Sequence, residues 1–132
     1  ILYDDYQYGD IVVLRKESFL AEPIVKRVIA TGGQTVDIDF ETGSVYVDGA
    51  ELDEPYIRER TYTPEGVTFP LTVPEGGVFV LGDNRNDSKD SRHTELGAVD
   101  TRKILGKAVW LLIPGKTAEL DQRELSRIGS LN

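Results

Sequence analysis

The chain has 132 residues, of which 39% are hydrophobic and 29% charged, and its 13 Gly and 6 Pro are spread along the length. That profile fits one turn-rich globular domain with a modest core and excludes a disordered or low-complexity segment. A net charge of −8 argues against nucleic-acid binding, the lack of cysteine excludes disulfides and thiolate metal sites, and no apolar run approaches the ~20 residues that span a bilayer.

Strand signals dominate. Ile11–Arg15 and Ile24–Ala30 are short β-branched runs. In TVDIDFETGSVYVDGAEL, Val36, Ile38 and Phe40 alternate with Asp37 and Asp39, and Thr42-Gly43 turns the chain into Val45-Tyr46-Val47. Asp48-Gly49 marks a second tight turn. Val67–Val73 contains Pro70 and reads as an edge or interrupted strand. Val78–Leu81 and Lys107–Ile113 complete the set. Helix signals are confined to the end, where Asp121 and Glu124 have capping-box spacing ahead of Leu125 and Ile128. The expected fold is therefore all-β, antiparallel and barrel-like, with a short helical tail over 117–132 behind a β domain over 1–116.

Lys26 lies in the strand IVKRVIA. Alternation places Ile24, Lys26, Val28 and Ala30 on one face and Val25, Arg27 and Ile29 on the other. If the lysine face packs inward, desolvation disfavours the ammonium and frees a neutral amine to act as a base. If it lies at an edge, the side chain snorkels to water. Spacing does not choose between the two.

The segment LGDNRNDSKDSRH, Leu81 to His93, is almost wholly polar after its first residue. Asn84, Asn86, Ser88, Asp90 and Glu95 occupy the oxygen-ligand spacings of a calcium loop, but Lys89 stands where that loop requires Gly, and no helices flank it. A solvated turn is one remaining reading. The other is a buried network in which Asp90 and Arg92 point to one side and pair across to Asp83 or Arg85, with Ser88 directed at a lysine amine. His93 is the only histidine and is expected on a surface loop, so zinc would find few nitrogen ligands. No cofactor is called for.

Taken in order, these segments resemble the type I signal peptidases. YGDIVVL is similar to the family's Gly-Asp-Ile-Val-Val box, and IVKRVIATGGQTVDI to its Lys-Arg box. GSVYVDGAELDEPYI is similar to a hairpin ending in Leu-Asp-Glu-Pro-Tyr-Ile, and VPEGGVFVLGDNRNDSKDSR to the Gly-Asp-Asn-Arg … Ser-x-Asp-Ser-Arg box. ILGKAVWLLIP resembles the closing strand. The resemblance runs from Tyr8 to about Pro114, and the occurrence of these segments in family order makes it specific.

The resemblance implies a signal peptidase/repressor-protease fold and a serine–lysine protease. Lys26 matches the general base, Ser88 the serine that orients its amine, and Asp90 with Arg92 a supporting salt bridge. Asp83 and Asn84 belong to the same structural box. Val13, Ile24 and Val25 match positions lining shallow pockets for small substrate residues. The implied partners are signal peptides of secreted preproteins. The implied location is the cell membrane, with an extracytoplasmic catalytic domain on an upstream anchor.

Two departures concern loops. Ala30-Thr31-Gly32-Gly33-Gln34 replaces the family's Gly-x-Pro-Gly-acid turn, and His93-Thr94-Glu95-Leu96 replaces a shorter aromatic link. A third concerns chemistry: the nucleophile box, Ser-hydrophobe-x-Pro, does not occur in these residues. Ser18, Ser44, Ser88, Ser91, Ser126 and Ser130 have the wrong context. The chain starts at Ile1, contains no methionine and shows no signal peptide, so it is expected to be a processed or trimmed piece, inactive alone. Strand edges left unpaired by missing sequence would favour dimerisation. Two other readings share features with it: a serine-less relative that only binds exported segments, and a self-cleaving repressor-type serine–lysine domain.

Overall fold

Short β-branched runs punctuated by Gly and Asp become nine strands among the residues that the computed structural model describes, 6–15, 23–86 and 89–107. They are β1 (Ile11–Leu14), β2 (Ile24–Thr31), β3 (Thr35–Asp39), β4 (Ser44–Val47), β5 (Ala50–Glu51), β6 (Leu71–Thr72), β7 (Gly77–Leu81), β8 (Val99–Asp100) and β9 (Ile104–Lys107). A 3-10 turn, Thr101–Lys103, leads into β9. The strands form a five-stranded sheet, β8-β7-β2-β1-β9, and a four-stranded sheet, β5-β4-β3-β6. Every strand pairing is antiparallel, as the turn-rich sequence predicts.

The second sheet follows its sequence pattern closely. Val36 faces Val47 and Ile38 faces Val45 across the β3–β4 hairpin, while Asp37 and Asp39 stay exposed. Asp48 (φ 51°) and Gly49 (φ 85°) both take the left-handed conformation that a two-residue hairpin turn needs, joining β4 to β5. The Asp48 carboxylate also accepts the Thr35 N–H at 2.9 Å, which ties the turn to the start of β3. Around Pro70 only Leu71–Thr72 is a strand, and it lies at the sheet edge. There a proline's missing N–H removes no ladder bond.

β2 and β7 are buried on both faces because a core lies on each side of them. Val28, Val78 and Val80 join Val12, Leu14, Ile24, Leu96 and Val99 in one cluster. Ile29, Ala30, Phe79 and Leu81 join Val36, Ile38, Val45 and Val73 in the other, between the sheets. The strict alternation expected of IVKRVIA fails at one point. Val28 pairs with Val80 but Ala30 pairs with Phe79, so Ile29 is an extra residue in a bulge. The bulge moves Ala30 off the lysine face and into the inter-sheet core.

The turn after β2 closes without the family's proline. The Gln34 N–H donates to the Thr31 carbonyl at 3.0 Å, and the Gln34 side-chain oxygen accepts the Thr31 N–H at 2.9 Å. The last strand begins at Ile104, three residues before the expected Lys107. The expected continuation to Ile113, the tail over 117–132, and Ser88 lie outside the described residues.

Candidate functional site

β2 positions Lys26 opposite Val12 of β1, and the face they share also carries Ile24, Leu14 and Val28. The side chain is only 3% exposed. Burial therefore holds its amine below the ordinary lysine range, while the charges of Asp90, then Glu65, and more weakly Asp83 pull it back up and Arg92 pushes it down. Burial wins, so the inward-packing alternative left open by the sequence is the one realised.

The described residues of the polar stretch Leu81–His93 also turn largely inward. Asp83, Arg85, Asp90, Ser91 and Arg92 are all buried, while Asn84 and Lys89 stay exposed. Ser91 anchors the return path: its Oγ accepts the Val80 N–H at 2.9 Å and its own N–H donates to the Val80 carbonyl at 3.0 Å. Asp90 and Arg92 then sit side by side with no solvent exposure. Arg92 Nε donates to Asp90 Oδ1 and Nη2 to Oδ2, both at 2.8 Å. The Asp90 carboxylate also takes the N–H groups of Gly82 (2.9 Å) and Arg92 (3.1 Å).

The expected cross-pairing of Asp90 and Arg92 with Asp83 or Arg85 does not occur. Residues 90–93 form a turn, closed by the His93 N–H donating to the Asp90 carbonyl at 2.9 Å, and within it Asp90 and Arg92 close a bidentate pair on each other. Asp83 instead accepts Arg27 Nε at 3.0 Å and Nη2 at 2.8 Å. Arg85 donates to Glu54 at 2.9 and 2.6 Å, to Thr61 Oγ1 at 3.1 Å and to the Gly82 carbonyl at 2.7 Å. Tyr56 joins these two pairs, since the Arg27 guanidinium lies 4.1 Å from its ring centre and its hydroxyl donates to Glu54 at 2.7 Å. Burial, then hydrogen bonds with the Tyr8 hydroxyl and with that carboxylate, push the Tyr56 phenol far up, so it stays protonated.

The remaining sequence-selected residues divide. Val13 pairs with Val25 and shares its face, opposite to Lys26, whereas Ile24 lies on the lysine face inside the core. Asn84 lines a cleft of about 200 Å³ with Tyr56, Arg58 and Asp83. His93 is partly buried rather than on a free surface loop: it forms a bridge with Gly66, and its Nδ1 accepts the Glu95 N–H at 3.1 Å. Among the described residues no group of three or more His, Cys, Asp or Glu could hold a metal ion.

Comparison with known proteins gives the family. The family model for signal peptidase, peptidase S26, matches residues 3–113. The chain belongs to the type I signal peptidases. It is 40% identical over 116 residues to a probable signal peptidase I-1 of Synechocystis sp., covering 82% of this chain and 55% of the relative. Identity to a signal peptidase I of Mycobacterium tuberculosis is 43% over 108 residues, or 69% of this chain and 36% of the relative. A crystal structure of a signal peptidase I from Enterococcus faecalis V583 superposes with a TM-score of 0.63 at 32% identity, covering 78% of this chain and 96% of that one. The chain spans about half the length of the curated relatives it matches. No helix among the described residues is long and apolar enough to cross a membrane.

In this signal peptidase domain, sequence reasoning overlooked two residues. Asn86, considered only as a calcium ligand, accepts the Tyr62 N–H and the Thr63 hydroxyl, both at 3.0 Å, and donates to the Arg60 carbonyl at 3.0 Å. Glu65, in a segment with no strand signal, accepts the Asp90 N–H at 3.4 Å and reaches Arg92 Nη2 at 3.3 Å. An acid next to a glycine, Glu65-Gly66, was the only available clue.

Proposed function

We propose that this chain is most of the catalytic domain of a membrane-anchored type I signal peptidase, a serine endopeptidase that removes signal peptides from exported proteins. The observation that carries this reading is the Lys26 amine, buried in a family-matched strand and kept below its ordinary pKa by burial. A neutral amine can take the proton of a serine hydroxyl as that oxygen attacks the scissile carbonyl, then return it to the leaving amine. The nucleophilic serine comes from sequence upstream of Ile1. Ser88 orients the amine, and the Asp90–Arg92 pair braces the segment that carries it.

The substrate edge follows from strand pairing. β2 pairs with β1 over its first half but with β7 only from Arg27 onward. Among the described residues, Ile24–Lys26 therefore has no strand beside it on the β7 side. A signal peptide adding there as a strand would bring its scissile bond to Lys26, with Val13 and Val25 under one face of it.

The test uses the full-length protein and a preprotein substrate. Lys26→Met is expected to lower cleavage by roughly 10²–10⁴-fold, the usual contribution of a general base. Wild-type cleavage should rise with pH as Lys26 loses its proton below the ordinary lysine range. Unimpaired cleavage by Lys26→Met, or cleavage by the 132-residue chain without the upstream serine, would overturn the proposal.

A further inference from the structure

Where β7 ends beside β2, the chain that leaves the sheet builds a cleft. Arg27 pairs with Leu81, the last residue of β7, and Gly82, Asp83 and Asn84 follow outside the ladder. Asp83 reaches back to the neighbouring strand: its carboxylate takes Arg27 Nε at 3.0 Å and Nη2 at 2.8 Å. The same residue lines a cleft of about 200 Å³ with Asn84, Tyr56 and Arg58. One ion pair therefore ties the cleft to the residue that directly follows Lys26 in β2.

The aromatic wall of this cleft is fixed. The Tyr56 ring lies 4.1 Å from the Arg27 guanidinium, and its hydroxyl donates to Glu54 at 2.7 Å and meets the Tyr8 hydroxyl at 3.0 Å. The Asp83 carboxylate is taken up by its two-point contact with Arg27. Arg58 and Asn84 are exposed, and among the described residues no hydrogen bond or ion pair engages either side chain. What the cleft offers a ligand is a guanidinium and an amide beside an aromatic ring. A guanidinium with its fork open takes a carboxylate in a two-point contact. Arg58 also lines a larger cleft of about 310 Å³, but there Glu51, Asp53, Glu54 and Glu59 outnumber Arg58 and Arg60, so an acidic ligand fits only the smaller one.

We propose that this cleft binds the mature side of the substrate and that Arg58 selects an acidic side chain among the first three residues after the scissile bond. The inference rests on the reading of Lys26 as the base, with Val13 and Val25 beneath the residues that precede the bond. Val25 comes before Lys26, so a substrate placed in that way runs in the direction of β2 and next meets Arg27. There the neighbouring position is already filled, with Leu81 opposite Arg27. At about 3.3 Å per residue, the substrate must leave the sheet within one or two residues of the bond. The Lys26 face is closed by the cluster that includes Val12, Leu14, Ile24 and Val28. On the other face the Arg27–Asp83 pair leads to Tyr56 and the cleft, so a segment leaving on that side passes Arg58 and Asn84. A charge at such an exposed site sets a preference among substrates rather than the bulk of their affinity.

The experiment uses the full-length protein and a preprotein in which each of the first three mature residues is set in turn to Glu, Gln or Lys. At one of these positions kcat/KM is expected to be roughly three- to tenfold higher for Glu than for Lys, with Gln between them, the scale of one exposed attraction exchanged for one repulsion. Arg58→Glu should reverse that order, and Arg58→Gln should erase it. A preference that arose from the substrate's own conformation, or from charge elsewhere on the enzyme, would keep its order in both variants. Equal cleavage of Glu, Gln and Lys substrates at all three positions, or an order that Arg58→Glu leaves unchanged, overturns the proposal and leaves the base reading standing. Unimpaired cleavage by Lys26→Met overturns both.

Discussion

Two arginines of one polar segment, Arg85 and Arg92, are buried without exposure, yet they serve different ends. Arg85 meets one carboxylate, Glu54, and spends its remaining donors on Thr61 Oγ1 and the Gly82 carbonyl. Its charge is matched one for one, and what it does is fasten the Gly82–Asn86 turn to the segment beyond β5. Arg92 meets two carboxylates beside a buried lysine. Among the described residues it meets more carboxylates than Arg85 does. A buried ion pair is thus weak evidence of chemistry, and a desolvated base is stronger evidence.

Breaking the Arg85 pair should have the largest effect on stability. Glu54→Ala leaves a fully buried guanidinium without its carboxylate and removes the acceptor of the Tyr56 hydroxyl. The expected loss is about 3–5 kcal/mol in urea or guanidinium unfolding. The Lys26 midpoint should not follow it, because neither Glu54 nor Arg85 is among the charges that act on that amine. A Glu54→Ala protein that unfolds like the wild type would erase the distinction between the two arginines.

Gly66→Ala comes next. At φ +111° an alanine is strained whatever the space, and its Cβ would press on the Thr94 methyl. The expected cost is roughly 1–3 kcal/mol. It should fall on the Arg92 side of the comparison, since residues 65–67 lie against residues 92–93. Hydrogen exchange would check this through faster exchange at the Val67 N–H and unchanged protection at the N–H groups of the β3–β4 hairpin.

The hairpins were legible in the sequence because their determinants are local. Val36, Ile38 and Val45 alternate with acids and a serine, and Asp48-Gly49 names its own turn. The lysine face was legible as far as Val28, where the Ile29 bulge interrupts a pattern that period-two reasoning takes as continuous. The ion pairs were not legible by spacing. Arg27 and Asp83 lie 56 residues apart and Arg85 and Glu54 lie 31 apart, so only the folded sheets bring them together. Resemblance could name Asp90 and Arg92 because they sit in a shared motif. It had nothing to say about Glu65, whose place depends on a glycine, a bridge from Gly66 to His93 and backbone hydrogen bonds between residues 63–67 and Arg92.

The smallest effect is also the most direct test of what distinguishes the Arg92 side. Lys26 has a lower pKa folded than unfolded. Between those two values the unfolded chain holds a proton that the folded chain lacks, so stability must rise with pH across that window. Below the folded value both states are protonated, and the full unfavourable contribution of burying the ammonium is present. Above ~10.4 both are neutral and the contribution is gone. Lys26→Met removes this dependence, so its stability relative to the wild type should be greatest at the acid end and should shrink steadily toward alkaline pH. For one proton the slope cannot exceed about 1.4 kcal/mol per pH unit, so urea midpoints need comparison at several pH values. Parallel profiles for the two proteins would mean that Lys26 keeps its proton on folding, and the contrast with Arg85 would lose its physical basis.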